Sequence, residues 1–239
     1  MTATLPMRIV VLGAGGDALV VAEAIRQAHD AGQGVNLVGF LDDSLVGSTA
    51  NGFPILGRLD DWSKLDFDIR FIPAIQKVRD MPRRSARVEG LKIPSERWAT
   101  IVHPRAVLAA DVKLGVGVYI AACATVQPGC QIGDFATLRG GAALGHDAIV
   151  ERHGYVGPNA TMCGKTIVHE GAHLGPNSVV LDGCTVGRFS VVGIGSAVTR
   201  NVPEFTVVMG NPSRRIGKVK GFVSKQEVSP PSLFRSNEQ

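Results

Sequence analysis

The chain carries an aliphatic residue at every sixth position from Val102 to Val198. A small or slim residue, such as Ala106, Ala124 or Ala142, stands four places after most of them. An α-helix repeats every 3.6 residues and a strand every 2, whereas a parallel β-helix with one short strand and one corner per hexapeptide repeats every six. The pattern therefore predicts a triangular prism of three hexapeptides per coil, with the aliphatic residues inside. The series is Val102, Leu108, Leu114, Ile120, Val126, Ile132, Leu138, Leu144, Val150, Val156, Met162, Val168, Leu174, Val180, Val186, Val192 and Val198.

Glycine often follows the aliphatic residue directly, which is expected at a corner where a Cβ would clash or φ is unusual. These glycines are Gly115, Gly133, Gly145, Gly157, Gly175, Gly187 and Gly193. The repeat continues over residues 102–203 without an inserted loop. Functional residues of the prism are therefore expected on its outer surface.

A small α/β domain is predicted before the prism. Residues 8–13 are typical of a buried strand, a helix is expected over 17–31, and a second strand is predicted at 35–41. A third strand is predicted at 69–75 and a basic helix at 79–90. We predict three segments: an α/β domain over 7–98, a β-helix over 99–216 and a polar tail over 217–239.

A glycine turn joins the first strand to the first helix. Gly13, Gly15 and Gly16 fit a loose dinucleotide fingerprint, in which backbone N–H groups and the helix dipole bind phosphate. Asp42 and Asp43 end the second strand, where a carboxylate can bind a nucleoside. About ninety residues supply only one mononucleotide-binding half, so a nucleotide-sugar is favoured over NAD. The alternative is a turn that needs glycine only for packing.

The composition favours some partners over others. The net charge is +4, and aromatic residues make up only 5%, too few beside the basic segments to favour nucleic acid. The sequence has no apolar run long enough to span a membrane and no signal-peptide pattern, so a cytoplasmic location is expected. Cys130 and Cys184 occupy equivalent inward positions three coils apart, about 14 Å, which is too far for a disulfide.

The pair His146 and Asp147 follows a corner glycine on the outside of the predicted prism. A carboxylate beside an imidazole orients it and makes it more basic, as a general base requires. The alternative is an ordinary surface histidine.

Several stretches in this order resemble the nucleotide-sugar acetyltransferases of the NeuD and PglD type, which act in bacterial surface-glycan pathways. These are IVVLGAGG at 9–16, GFLDDS at 39–44, FIPAI at 71–75, IVHPRAV at 101–107, GHD at 145–147 and GNPSRR at 210–215. The resemblance implies a left-handed β-helix, a homotrimer, acetyl-CoA bound between neighbouring prisms, and a nucleotide-sugar held by the N-terminal domain.

The resemblance also implies roles for individual residues. His146 matches the general base and Asp147 its acidic neighbour, and no metal is required. The glycine turn and the pair Asp42 and Asp43 match the nucleotide-sugar site. Residues that match the cofactor contacts are Gly193, Gly195, Gly210, Asn211, Pro212, Arg214 and Arg215.

The chain departs from the family pattern at four places. Asp17 would place a negative charge near a diphosphate, unless it turns away as a helix cap. Arg139 replaces a smaller polar residue near the sugar, and Tyr155 replaces a histidine that contacts the thioester. Glu151 replaces a corner glycine, and His169 lies one coil later, so a pair between them is expected.

Direct acetyl transfer from acetyl-CoA to the amino group, or a hydroxyl, of a nucleotide-linked sugar is the expected reaction. Two other functions are compatible with the fold. One is a zinc-dependent carbonic anhydrase, which would need three converging ligands among His146, His153, His169 and His173. The other is a protein that binds or scaffolds nucleotide-sugars without catalysis.

Overall fold

The computed structural model describes residues 5–75 and 80–219. The N-terminal part is a five-stranded sheet in the order β3-β4-β2-β1-β5, parallel except for the β3–β4 pair. Helix α1 buries an alanine-rich face against this part of the chain, as its apolar spacing predicts. The elements are β1 (Met7–Leu12), α1 (Gly16–Asp30), β2 (Val35–Leu41), β3 (Thr49–Ala50), β4 (Phe53–Gly57), β5 (Arg70–Pro73) and α2 (Met81–Gly90), with 3₁₀ turns at Leu59–Lys64 and Ser95–Arg97.

The observed elements lie within one or two residues of the predicted ones. Strand β2 has the predicted bounds, whereas β5 is shorter than residues 69–75 and α2 begins two residues after the predicted start. Residue 79 of that predicted helix lies outside the described residues. The chain leaves the sheet at Trp98, which pairs with Phe71 of β5, and Ile101 then begins the first coil.

Seventeen two-residue strands follow at six-residue intervals, and each of the first fourteen pairs in parallel with the strand eighteen residues later, as Thr125 does with Ala143. Three such hexapeptides complete one coil, so the predicted prism is confirmed. The strands are β6 (Ile101–Val102), β7 (Val107–Leu108), β8 (Lys113–Leu114), β9 (Tyr119–Ile120), β10 (Thr125–Val126), β11 (Gln131–Ile132), β12 (Thr137–Leu138), β13 (Ala143–Leu144), β14 (Ile149–Val150), β15 (Tyr155–Val156), β16 (Thr161–Met162), β17 (Ile167–Val168), β18 (His173–Leu174), β19 (Val179–Val180), β20 (Thr185–Val186), β21 (Val191–Val192) and β22 (Ala197–Val198).

The strands form three sheets along the faces of the prism. Face 1 contains β7, β10, β13, β16, β19 and β22; face 2 contains β8, β11, β14, β17 and β20; face 3 contains β6, β9, β12, β15, β18, β21, β23 (Thr206–Met209) and β24 (Arg214–Lys218). The aliphatic series fills the interior, where Ile120, Leu138 and Val156 are fully buried, whereas Leu114 near the N-terminal end of the prism is 37% exposed. Strand β24 turns back antiparallel to β23, and the part of the predicted tail from residue 220 onward lies outside the described residues.

The corner positions need glycine because a side chain there would clash with the next coil, and not because the backbone has an unusual φ. A Cβ on Gly157 would lie 2.5 Å from the carbonyl oxygen of Leu174 in the next coil, and one on Gly145 would lie 2.7 Å from the backbone nitrogen of Gly164. The left-handed φ falls two residues later in the hexapeptides from Gly117 to Gly195, where Gly141, Asp147 and Asn159, for example, have φ between 54° and 71°. The clash that we predicted is therefore the correct reason for glycine, and the unusual φ belongs to a different position.

The N-terminal part covers face 3 of the prism. Tyr119, Tyr155 and His173 point outward from this face, yet each is at least 92% buried. Arg84 of α2 donates to the carbonyl oxygen of Phe135, at 3.4 Å, and is itself buried.

Cys130 and Cys184 are buried in the prism as free thiols. Within residues 5–75 and 80–219, no helix is long and apolar enough to cross a membrane.

Candidate active site

The imidazole of His146 lies on the corner between face 1 and face 2, directly after β13. Its Nδ1 is 2.9 Å from Oδ2 of Asp147, and both side chains are more than half exposed. Asp147 occupies the left-handed corner position, with φ of 58°, which aspartate tolerates better than most residues. Because Nδ1–H donates to the carboxylate, Nε2 of the neutral imidazole keeps its lone pair as a proton acceptor.

Neighbouring coils hold the His146 corner in place. The backbone N–H of His146 donates to Oε1 of Gln127 at 3.0 Å, and its carbonyl oxygen accepts from the N–H of Lys165 at 2.8 Å. The ring lies against Gly164 of the next coil, where a Cβ would come within 2.6 Å of Nε2. Gly164 therefore provides the space that the imidazole occupies.

The predicted nucleotide residues meet in one cleft of about 380 Å³. Its lining is Gly13, Gly15, Gly16, Asp17, Asp42, Asp43, Ser44, Leu59, Ala74, Ile75 and Arg87. Gly13 has φ of +99° and Gly15 caps α1, so the turn directs the first N–H groups of the helix toward this cleft. His146 is not among the lining residues.

Asp42 and Asp43 shape this cleft through hydrogen bonds from the backbone. Asp42 accepts the N–H of Ala14 and that of Ser44, both at 2.9 Å. Asp43 accepts the N–H of Leu59 at 3.0 Å. Both carboxylates therefore fix the loops of the cleft, and their contact with a ligand stays a prediction.

Asp17 does not cap the helix, contrary to one expectation from the sequence. The cap residue is Gly15, and Oδ1 of Asp17 lies 2.8 Å from Nη1 of Arg139, which extends from the corner between face 3 and face 1. Two of the four departures from the family pattern thus form an ion pair between α1 and the prism. Asp17 and Arg139 are 122 positions apart along the chain, so their pairing was not predicted from the sequence.

The predicted cofactor residues lie at the C-terminal end of the prism. The turn that contains Gly210, Asn211 and Pro212 is attached to face 1, because the N–H of Ser213 donates to the carbonyl oxygen of Ala197 at 2.8 Å. Gly193 lies against Met209, where a Cβ would clash, and Gly195 has φ of +63° with open space beside it.

Arg214 and Arg215 line a cleft of about 260 Å³ at this end of the prism, together with Arg200. Three guanidinium groups at one opening suit a phosphorylated ligand. Arg200 occupies the same corner position as His146, three coils further along, which is about 14 Å. Sequence reasoning missed Arg200, although this eighteen-residue spacing was available as a signal.

Tyr155 lies apart from this opening, buried between α2 and face 3. Its ring stacks on His173 with centroids 4.3 Å apart, and burial raises the pKa of its hydroxyl. Within this single chain it is packed as a core residue, and its predicted contact with the cofactor stays a prediction. Burial lowers the pKa of His173 to about 4, so this imidazole is neutral.

Glu151 and His169 form the expected pair, with Nδ1 of His169 3.0 Å from Oε1 of Glu151. The histidines proposed for the rival zinc enzyme are dispersed: His146 and His169 lie on different corners, whereas His153 is fully buried. Within residues 5–75 and 80–219, no three metal-binding side chains are grouped to hold an ion.

Comparison with known proteins agrees with this architecture. Residues 8–79 match the model of the PglD N-terminal domain. Perosamine N-acetyltransferase from Caulobacter crescentus, solved as a histidine-to-asparagine mutant with CoA and GDP-perosamine, is 27% identical, with 90% of this chain and 100% of that chain covered and a TM-score of 0.77. The acetyltransferase domain of PglB from Neisseria gonorrhoeae with acetyl coenzyme A is 26% identical, with 88% and 100% covered and a TM-score of 0.77.

A third structure, WeeI from Acinetobacter baumannii, shows the same fold at 22% identity, with 89% and 100% covered and a TM-score of 0.68. A search of curated proteins found no match. The chain shares with these hexapeptide-repeat transferases an N-terminal α/β domain followed by a β-helix, consistent with the left-handed β-helix that we predicted. The chain is similar to the NeuD/PglD-like sugar acetyltransferases in its N-terminal domain and in its overall fold, in agreement with the sequence resemblance.

Proposed function

We propose that this protein transfers the acetyl group of acetyl-CoA to the amino group of a nucleotide-linked sugar, with His146 as the general base. The observation that supports this role most directly is the 2.9 Å contact from Nδ1 of His146 to Asp147, with Nε2 directed away from it. A half-exposed imidazole held in this tautomer can accept a proton from an attacking amine.

The chemistry needs only groups that this site and its two substrates supply. The sugar nitrogen forms a bond to the acetyl carbon, Nε2 of His146 accepts the nitrogen's proton, and Asp147 stabilises the imidazolium. The carbon–sulfur bond then breaks, and the imidazolium returns the proton to the departing thiolate. Alignment of the two substrates supplies the larger part of the rate, up to about 7 to 11 kcal/mol.

The corner that carries His146 also suggests where acetyl-CoA binds. The equivalent positions along this corner are occupied by Gly164, Asp182 and Arg200 in successive coils. Arg200 lies beside Arg214 and Arg215, which suit the phosphates of CoA. The pantetheine arm would follow the corner over about 14 Å and place the thioester at His146. Gly193, Gly195 and the turn of residues 210–212 belong to this proposal.

The nucleotide-sugar belongs in the cleft formed by the glycine turn, Asp42 and Asp43. The N-terminus of α1 stabilises anions there, and the cleft volume of about 380 Å³ is in the range of small-molecule sites. Perosamine N-acetyltransferase was solved with GDP-perosamine, and it shares this N-terminal architecture. The cytoplasm, where acetyl-CoA and nucleotide-sugars are made, is the compartment that this function requires.

A homotrimer is the assembly that we propose. Face 1 and its two corners expose apolar side chains, with Val107 at 67%, Leu181 at 50% and Ile194 at 64% exposure. Burial of these side chains against neighbouring copies would place the His146 corner at an interface. Light scattering should give three times the chain mass, and a monomer would contradict this assembly.

The reaction is tested by incubating the protein with acetyl-CoA and a panel of UDP-, GDP- and CMP-linked amino sugars, with thiol release and product mass as readouts. We expect one acceptor to gain the mass of an acetyl group with stoichiometric thiol release. The matching sugars that carry a hydroxyl in place of the amine distinguish O- from N-acetylation. Nucleotide-sugar binding without thiol release for any acceptor would refute the transferase and support the non-catalytic alternative.

A further inference from the structure

The nucleotide cleft contains more negative charge than an anion site should. Three carboxylates line it, Asp17, Asp42 and Asp43, against one guanidinium, that of Arg87. A nucleotide diphosphate would bring further negative charge into the same cleft. The way in which each carboxylate is compensated therefore determines whether such a ligand can bind.

Two of the three carboxylates are compensated from within the N-terminal part of the chain. Asp42 accepts two backbone N–H groups, and Asp43 accepts one. Asp43 also pairs with Arg87, whose Nη2 lies 3.2 Å away. These carboxylates are directed into the loops that they hold.

Asp17 is different, because its partner comes from the prism. Nη1 of Arg139 approaches Oδ1 of Asp17 to 2.8 Å, and the two side chains are 13% and 35% exposed. At this degree of burial the interaction is screened less than a surface ion pair. Asp17 is the second residue of α1, where an uncompensated carboxylate would compete with a bound phosphate for the N–H groups of the helix.

From this arrangement we infer that Arg139 is a positioning residue for the nucleotide-sugar diphosphate. It neutralises Asp17 and so completes, from the β-helix, an anion site that the N-terminal part of the chain alone leaves too acidic. The inference rests on the nucleotide site in the proposed function. It gives a specific role to two residues that depart from the family pattern.

The test measures binding of UDP and GDP by calorimetry to the wild type, Arg139→Gln, Asp17→Asn and the double variant. Arg139→Gln should weaken binding at least tenfold, because it leaves the Asp17 carboxylate beside the diphosphate. Asp17→Asn should strengthen binding several-fold, and the double variant should return to within threefold of the wild type. Each difference should shrink at 0.5 M salt, since screening weakens charge interactions (the Debye length is about 3 Å at 1 M).

A purely structural ion pair predicts a different pattern, in which both single variants and the double variant weaken binding together. That result would overturn the inference. Failure of Asp17→Asn to strengthen nucleotide binding would also overturn it, and this comparison can be made even if Arg139→Gln does not fold. Arg26→Gln removes two exposed ion pairs on α1, at 2.7 Å to Glu23 and 2.6 Å to Asp30, and should leave nucleotide affinity unchanged.

Absence of UDP and GDP binding by the wild type would also overturn the inference. The acetyl-transfer panel tests the proposed function separately, because thiol release by the wild type reports acetyl transfer whichever group compensates Asp17, so the inference can fail while the transferase stands.

Discussion

A single methyl group added at Gly164 should disable His146 without disturbing the fold. The Cβ of Gly164→Ala would lie 2.6 Å from Nε2 and 2.9 Å from Cε1 of His146. Ordinary contact requires about 3.5 Å, so the imidazole must move by about 1 Å. Gly164 has no left-handed φ, and His146 is 53% exposed, so the ring can move toward solvent.

A displacement of about 1 Å from the productive geometry can cost about 100-fold in rate, or about 2.7 kcal/mol of transition-state stabilisation. We therefore expect kcat for thiol release to fall about 100-fold, with the free energy of unfolding within about 1 kcal/mol of the wild type. Gly140 occupies the equivalent corner position four hexapeptides earlier, and a Cβ there would meet nothing closer than 3.6 Å. Gly140→Ala is the matched control and should retain kcat.

Near wild-type kcat in Gly164→Ala would contradict the prediction that the added methyl group displaces His146. Equal losses in Gly164→Ala and Gly140→Ala would also refute it, since they would indicate a general effect of the added methyl group. Thermal unfolding of both variants shows whether the prism is intact.

Two further predictions concern stability. Burial lowers the pKa of His173 to about 4 in the folded chain. As the pH falls below about 6.5, the unfolded state therefore binds a proton that the folded state does not. The free energy of unfolding should decrease by about 1.4 kcal/mol per pH unit between pH 6.5 and 4. Denaturant titrations across this range should show a shallower slope for His173→Phe, and equal slopes would contradict the assignment. Gly157→Ala forces a Cβ against the carbonyl oxygen of Leu174 and should cost about 1 to 3 kcal/mol in a urea titration, whereas Gly90→Ala, with open space around it, should cost little.

The prism could be predicted from the sequence because its repeat is local. Each aliphatic residue, from Val102 onward, is placed by its own hexapeptide, and the register between coils follows from the spacing of eighteen. The α/β domain could be predicted for the same reason, since its strands and helices each have their own periodicity and end signals. The position of the left-handed φ was not evident, because residues other than glycine, such as Asp147 and Asn159, also adopt it there.

The adjacency of His146 and Asp147 made the candidate base evident, since neighbouring residues need no tertiary information to meet. The pair of Asp17 and Arg139 could not be predicted, because it depends on how the N-terminal part of the chain packs on face 3 of the prism. Tyr155 illustrates the same limit. Its position in the repeat predicts an outward side chain, but only the packed structure shows that α2 buries it.

The most direct test of the account compares kcat for acetyl transfer by the wild type and His146→Ala, using the acceptor that the panel identifies. His146 is half exposed, so its removal should leave the thermal unfolding transition unchanged. Loss of the general base should lower kcat by about 100- to 10,000-fold. Near wild-type kcat in a folded His146→Ala protein would show that another group takes the proton, and would contradict the central claim.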